Sequence, residues 1–140
     1  MSDFKTAIGV RSVDIDAATG KRLSHEEIYG RAIDFLGGMD AVAPFIPYDI
    51  ETLCKAYDKD KHFNTLRMAD WDMAAGFVSK GPDCKPYGGG LWYLYRIRGI
   101  TSASCAEGVC VLKEAARRMV IARKHEMIKA SAEAESGHGG

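Results

Sequence analysis

Apolar residues recur at helical spacing in four stretches of the chain and at strand spacing near its start. Ile28, Ala32, Ile33, Phe35 and Leu36 follow Ser24-His25-Glu26-Glu27, a capping box in which Ser24 caps and Glu27 reaches back to its amide. Gly37-Gly38 should end that helix, because glycine takes the left-handed conformation without a side-chain clash. Asp40 is placed to cap a short turn through Ala43, before Pro44 and Pro47 break the chain. Asp49 is the next cap: Ile50, Leu53, Cys54 and Tyr57 form one stripe, and Asp58-Lys59-Asp60-Lys61 reads as a solvated exit. Thr65 is expected to open a further helix, with Leu66, Met68, Trp71, Ala75 and Phe77 mostly on one side and Gly76 near its end.

The clearest element comes last. Ser104-Cys105-Ala106-Glu107 is a second capping box, and Val109, Leu112, Ala116 and Met119 recur at three and four, the mark of a core-facing stripe. Val111, Ala115, Val120 and Ile121 widen that stripe, so the front of this helix should be central, with Trp71 and Leu112 as core residues. Near Ala130 the pattern fades, and residues 131–140, small and polar, are expected to form a mobile tail behind a single globular domain over 1–130.

Ala7 to Asp16 is rich in β-branched residues, but Ile8 and Val10 share one parity and Val13 and Ile15 the other; a bulge near Ser12 would reconcile them, and Ala17-Ala18-Thr19-Gly20 reads as a turn. Ser79 to Gly90, with its prolines and glycines, reads as a loop whose Gly88-Gly89-Gly90 leads flexibly into the next element. Leu91, Leu94, Tyr95 and Arg98 fit a helix, whereas Leu91, Tyr93, Tyr95 and Ile97 fit a strand; helix is the preferred reading. The expected fold is mainly α: a single compact domain of five or six helices with a small extended or β piece at the N-terminus.

Composition narrows this little. At 140 residues, with 46% hydrophobic and 27% charged residues, the chain is neither disordered nor collagen-like. No apolar stretch approaches the roughly 20 residues of a membrane span, and the start, MSDFKTAIGV, lacks a basic region followed by an apolar run, so a cytoplasmic setting is expected. Cys54, Cys84, Cys105 and Cys110 are then expected as free thiols. Cys105 and Cys110, five apart, fall on different helix faces and do not make a zinc pair. No cofactor or metal is implied.

Charge distribution says more than the net charge of zero. Residues 1–84 carry ten basic and fourteen acidic residues, and residues 85–130 nine basic and three acidic. Lys113, Arg117, Arg118 and Lys124 are expected along one side of the last helix, opposite its apolar stripe, with Arg96 and Arg98 nearby. Such a face would contact phosphates or an acidic protein, unless it is an ordinary solvated face partly balanced by Glu114 pairing with Arg118.

Candidate catalytic chemistry is sparse. Asp70 and Asp72, two apart on a helix, point away from each other and should be solvated acids flanking a buried Trp71. His62, before Phe63 and Asn64, could serve acid–base chemistry, because imidazole titrates near neutrality, but it has no companion; His25, His125 and His138 make no constellation either. Gly88-Gly89-Gly90 lacks the spacing and the Lys-Ser/Thr of a phosphate loop. A helix-turn-helix over Leu91 to Ala115, turning at Gly99-Ile100-Thr101, would put bulky Tyr95 where a small residue packs and Gly108 where a large one should.

The segments His62-Phe63-Asn64-Thr65-Leu66, Trp71-Asp72, Gly99-Ile100-Thr101 and Gly108 to Ala116 resemble small uncharacterised open reading frames of tailed phages and prophages. That resemblance covers about half the chain and implies an accessory role in a bacterial host cytoplasm, with no activity attached. Tyr87 to Tyr95 is similar to the Gly-Gly-x-Trp segment of the antirestriction family of mobile elements; it covers nine residues, without that family's acidic, strand-rich flanks. The expected function is therefore non-enzymatic binding of a host protein or nucleic acid through the basic helix face. The alternatives are a dedicated nucleic-acid-binding protein and a small enzyme with His62 near its site.

Overall fold

The structure is a computed structural model that describes residues 2–80 and 83–138. It is mainly helical, with short strands at the N-terminus and in the middle of the chain. In order, the elements are β1 (Ser2–Asp3), α1 (Phe4–Ala7), β2 (Val10–Arg11), β3 (Ile15–Asp16), α2 (His25–Phe35), α3 (Met39–Val42), a short 3-10 turn (Ala43–Phe45), α4 (Ile50–Lys59), α5 (Met68–Ala75), β4 (Phe77–Lys80), β5 (Asp83–Pro86), α6 (Gly90–Ile97), β6 (Ile100–Ser102) and α7 (Cys105–His138).

Side-chain caps start three of the long helices where the sequence places them. Ser24 accepts from the Glu27 amide, Asp49 from Thr52 and Ser104 from Glu107, at 3.2, 2.8 and 3.1 Å, each satisfying a donor the helix leaves unpaired. Two other starts differ from expectation. Residue Asp40 lies inside α3, which begins at Met39 behind Gly38 without a side-chain cap, and α5 begins at Met68 behind Arg67 rather than at Thr65.

Helix α7 organises the rest. Gly108, Val109, Val111, Leu112, Glu114, Ala115, Ala116 and Val120 are buried, and these positions span most of its circumference. A helix buried over most of its circumference is enclosed rather than laid on a surface, and α2, α4, α5, α3 and the 3-10 turn pack about this one. Gly108 admits α5 closely: a Cβ there would stand 3.1 Å from Ala75 Cβ and 3.3 Å from the Phe77 ring. Trp71 and Leu112 are both fully buried. Past Val120 the side chains are exposed apart from half-buried Lys124, up to Ala134, yet the helix runs on to His138. The segment from Ser131 is helical through His138.

Both β regions depart from the linear reading. The change of parity near Ser12 is a hairpin and not a bulge: Val10 pairs with Asp16 and Arg11 with Ile15, and Val13 and Asp14 turn the chain with φ of 56° and 62°. Asp16 then accepts from the amides of Ala18 and Thr19, both at 2.8 Å, and from the Arg31 guanidinium, which fastens the hairpin to α2. The stretch read as a loop, Ser79 to Gly90, holds most of a second hairpin, with Phe77 opposite Pro86 and Ser79 opposite Cys84. β6 lies parallel to β1, so the segment between α6 and α7 is a paired strand with Ile100 buried, and no helix-turn-helix forms.

Gly88-Gly89-Gly90 is not a flexible lead-in. Gly90 (φ 58°) begins α6 with its Cα against the end of α5, where a Cβ would meet Ala74 O at 2.5 Å and Gly76 N at 2.8 Å. Gly76, at φ 93°, caps α5 in the left-handed region and would collide with Gly89 and Trp92 if it carried a side chain. The glycines let two helix ends meet backbone to backbone.

Candidate functional site

The connection after α4 builds the mouth of a cleft. Asp60 accepts from the backbone amides of His62 at 2.9 Å and Asn64 at 3.2 Å, and these donors hold its carboxyl below the usual carboxylate range. The turn drives Phe63 inward at φ 59°, a backbone region costly for a side chain-bearing residue. Burial compensates: the ring is fully enclosed, 6.1 Å from Tyr57 and 5.8 Å from Trp71 between centroids. Lys61 and His62, just before Phe63, are exposed at the rim. The exit from α4 is more than solvated charge, since Asp60 shapes the turn and Asp58 accepts from Lys124 at 2.6 Å.

Between this turn, α2 and α7 lies a cleft of about 500 Å³. Helix α2 contributes His25, Glu26 and Tyr29; Tyr57, Lys61 and His62 form the opposite wall; Cys110, Lys113, Glu114, Arg117 and Ile121 form the floor on α7. Burial, the adjacent Cys110 thiol and the nearby Glu107 and Asp14 push the Tyr29 hydroxyl up, so the phenol stays neutral and able to donate. Buried Glu114 is held by Arg117 at 2.6 Å and Arg118 at 3.1 Å. Lys61 and Lys113 form no ion pair among the described residues; Lys113 lies 6.0 Å from the Trp71 ring centroid, a cation–π arrangement. Both lysines are therefore available to an anionic group entering the cleft.

A broader depression of about 840 Å³ lies between α1, the β2–β3 turn and the start of α7. Its charges oppose one another, Asp3 and Glu107 against Lys5 and Arg11, and Asp3 is already used in capping α1. It gathers no set of groups of one sign.

The four basic residues expected along one side of the last helix, and Arg96 and Arg98 expected nearby, have different surroundings. Lys113 and Arg117 enter the cleft, while Arg118 turns toward α2, where a Cβ on Gly30 would overlap its guanidinium. Lys124 is tied to Asp58 and lies 5.8 Å from the Tyr57 ring centroid. Arg98 reaches the Gly37 turn, where a Cβ would lie 3.1 Å from its Nη2, and Arg96 reaches Gly88, where the corresponding distance to its Nη1 is 3.2 Å. Lys113, Arg117, Arg118 and Lys124 are half-buried because neighbouring helices cover α7 on several sides. The pairing of Glu114 with Arg118 is present as the i, i+4 spacing predicts.

His62 reaches the cleft, but among the described residues no side chain hydrogen-bonds its imidazole. No nucleophile–base pair or group of three metal-ligating side chains occurs there among those residues. Asp70 and Asp72 are not free acids: Asp70 accepts from the Tyr48 hydroxyl, and Asp72 from the Cys105 thiol at 3.3 Å. The walls of the cleft were not legible as a site, since Glu26 and Tyr29 on α2, Tyr57 on α4, Lys61 in the turn after it and Cys110 on α7 are far apart in sequence and share no motif. The chain matches no family model, and neither a curated protein nor a solved structure matches it. Among the described residues, no helix is long and apolar enough to cross a membrane.

Proposed function

We propose that this is a non-enzymatic binding protein that receives an acidic segment of a partner protein in the cleft between α2, the Asp60–Asn64 turn and α7. The observation that carries this reading is the pair of lysines that form no ion pair among the described residues, Lys61 and Lys113, facing a concavity that also presents Tyr29 and Tyr57. Apolar walls with a few convergent polar groups are the general form of a binding site. A duplex backbone asks instead for a line of available cations over an extended surface. Here Glu114 engages Arg117 and Arg118, Asp58 engages Lys124, and Arg96 and Arg98 lie on another part of the molecule. The resemblance to phage and prophage reading frames supports an accessory protein acting on a host component in the bacterial cytoplasm. The reading requires neither cofactor nor metal.

Nuclear magnetic resonance titration of the full chain tests it, with polyglutamate as one probe and a duplex oligonucleotide as the other. Saturable shifts with polyglutamate at Tyr29, Lys61, His62 and Lys113, lost in the Lys61→Glu, Lys113→Glu variant, are expected. Shifts that bypass the cleft or survive in the folded double variant overturn the reading. Duplex binding whose log affinity falls against log salt with a slope of roughly −3.6, as for four phosphate contacts, establishes the nucleic-acid alternative instead.

A further inference from the structure

Helix α7 outruns the domain that it organises. Its last buried residue among those described is Val120, and from His125 to Ala134 every side chain is exposed, although the helix continues to His138. The arm after Val120, residues 121–138, is roughly 27 Å long at the helical rise. By helical spacing Ile121, Met127, Ile128, Ser131 and Ala132 share one side of it, and Arg123, Glu126, Lys129 and Glu133 the other. Met127 is 60% and Ile128 68% exposed, and a shallow depression on this side is lined by Met127, Ile128, Ser131 and Ala132. A helix with one apolar side gains most of its stability by packing that side, and among the described residues nothing covers Met127 or Ile128. The arm is also divided in charge. Residues 121–129 hold three basic residues and one acidic; residues 130–138 hold two acidic residues and neither lysine nor arginine. The ion pairs of α7 among the described residues use Glu114, Arg117, Arg118 and Lys124, which leaves Arg123, Glu126, Lys129 and Glu133 outside any pair there.

We propose that this end of α7 is a dimerisation arm, which pairs antiparallel with the same segment of a second copy of the chain. A parallel pair would set basic half on basic half and acidic on acidic. The antiparallel pair lays each basic half along the acidic half of the other copy. A two-fold axis crossing between Lys129 and Ala130 sets Ile128 opposite Ser131 of the second copy and Met127 opposite Ala132 of the second copy. Each large side chain then meets a small one, and the symmetry repeats the contact on both sides of the axis. In the same register position 138 of one copy reaches position 121 of the other, so each arm ends where the other domain begins and the two domains stand at opposite ends of the pair. The contact is one helix wide and about five turns long, below the roughly 1,600 Å² of a standard stable interface, so the dimer is reversible. Of the residues lining the cleft only Ile121 lies on the arm; Lys61 and Lys113 stay open, and pairing does not depend on what the cleft receives.

Sedimentation velocity of the full chain over a wide range of concentration, in reducing buffer at low salt, reads the association. The average mass should rise from 15.3 kDa toward twice that value and stop there. The double variant Met127→Glu, Ile128→Glu, at exposed positions where substitution costs the fold little, should stay at the monomer mass. Should it not fold, Ala132→Arg, opposite Met127 in the pair, should likewise hold the chain monomeric. Arg123→Glu, Lys129→Glu makes both halves of the arm acidic and should weaken the dimer roughly tenfold, with the difference shrinking as salt screens the charges. A parent that stays monomeric throughout, growth past the dimer, dimerisation that survives in the folded Met127→Glu, Ile128→Glu variant, or a charge variant that dimerises like the parent overturns the proposal.

Discussion

Replacing Gly90 with alanine separates a packed glycine run from a flexible one by the sign of its effect. At a flexible position the added methyl group restricts the unfolded chain and stabilises by about 0.4–1 kcal/mol. In the structure Gly90 has φ 58°, and its Cβ would lie 2.5 Å from Ala74 O, 2.8 Å from Gly76 N and 3.0 Å from Gly76 Cα. The left-handed backbone costs an alanine about 1–2 kcal/mol. Relieving contact with backbone atoms at the end of α5 requires α6 to shift, at a cost comparable to overpacking a core, about 1–3 kcal/mol. Gly90→Ala should thus destabilise by about 2–5 kcal/mol, lowering Tm by roughly 10 °C for a domain of this size. Gly88 is the control: at φ 91° its Cβ would meet only the flexible Arg96 Nη1 at 3.2 Å, so Gly88→Ala should incur the backbone cost alone, about 1–2 kcal/mol. Thermal and urea denaturation followed by circular dichroism under reducing conditions measure both. A Gly90→Ala protein as stable as the parent, or more so, refutes the packed α5–α6 junction.

Further expectations concern the core, the N-terminal hairpin and the cleft charges. Leu112→Ala, at a fully buried position on α7, should cost about 2–5 kcal/mol by urea titration, and a midpoint equal to the parent's would contradict the placement of that helix. The Arg31 guanidinium first, then the Thr19 and Ala18 amides, hold the Asp16 carboxyl far below its ordinary range. Its stabilisation is complete above the unfolded value near 3.9 and is lost as pH falls further, because the unfolded chain takes up the proton first. Tm should fall between about pH 5 and 2, and Asp16→Asn should show a smaller fall; identical acid limbs would remove Asp16 from the account. Glu114→Gln should lower Tm, costing about 1–3 kcal/mol through loss of two charge-assisted bonds, while strengthening polyglutamate binding by freeing Arg117; weaker binding in a folded variant would contradict the electrostatic role given to the cleft.

Helices that carry both a cap and a stripe were legible in sequence. Ser24, Asp49 and Ser104 cap as their spacing predicts, and the ambiguous Leu91–Arg98 stretch is helical as preferred. What escaped depends on contacts distant in sequence. The N-terminal hairpin was hidden because its turn uses Val13 and Asp14 rather than glycine, so reversal looked like a bulge. The second hairpin was hidden by Pro86 and the glycines just beyond it, which signal a break without showing which residues pair. The basic residues on α7 look like one free face only if a single side of that helix is buried; Val111, Ala115 and Val120 already pointed to a wider apolar surface, and the packed helices turn the free face into ion pairs. The cleft depends on Asp60 closing a turn around Phe63, for which charge pattern alone offers no sign.

The most direct test of the central claim is site-specific photo-crosslinking in a bacterial host. A photoreactive amino acid replaces exposed Lys61 at the cleft rim or, as a control, exposed Tyr93 on α6. A discrete covalent adduct with an acidic polypeptide is expected from position 61, absent from position 93 and lost when Lys113→Glu is added to the folded protein. Adducts of equal yield from both positions, an adduct indifferent to Lys113→Glu, or capture of DNA in place of polypeptide would contradict it.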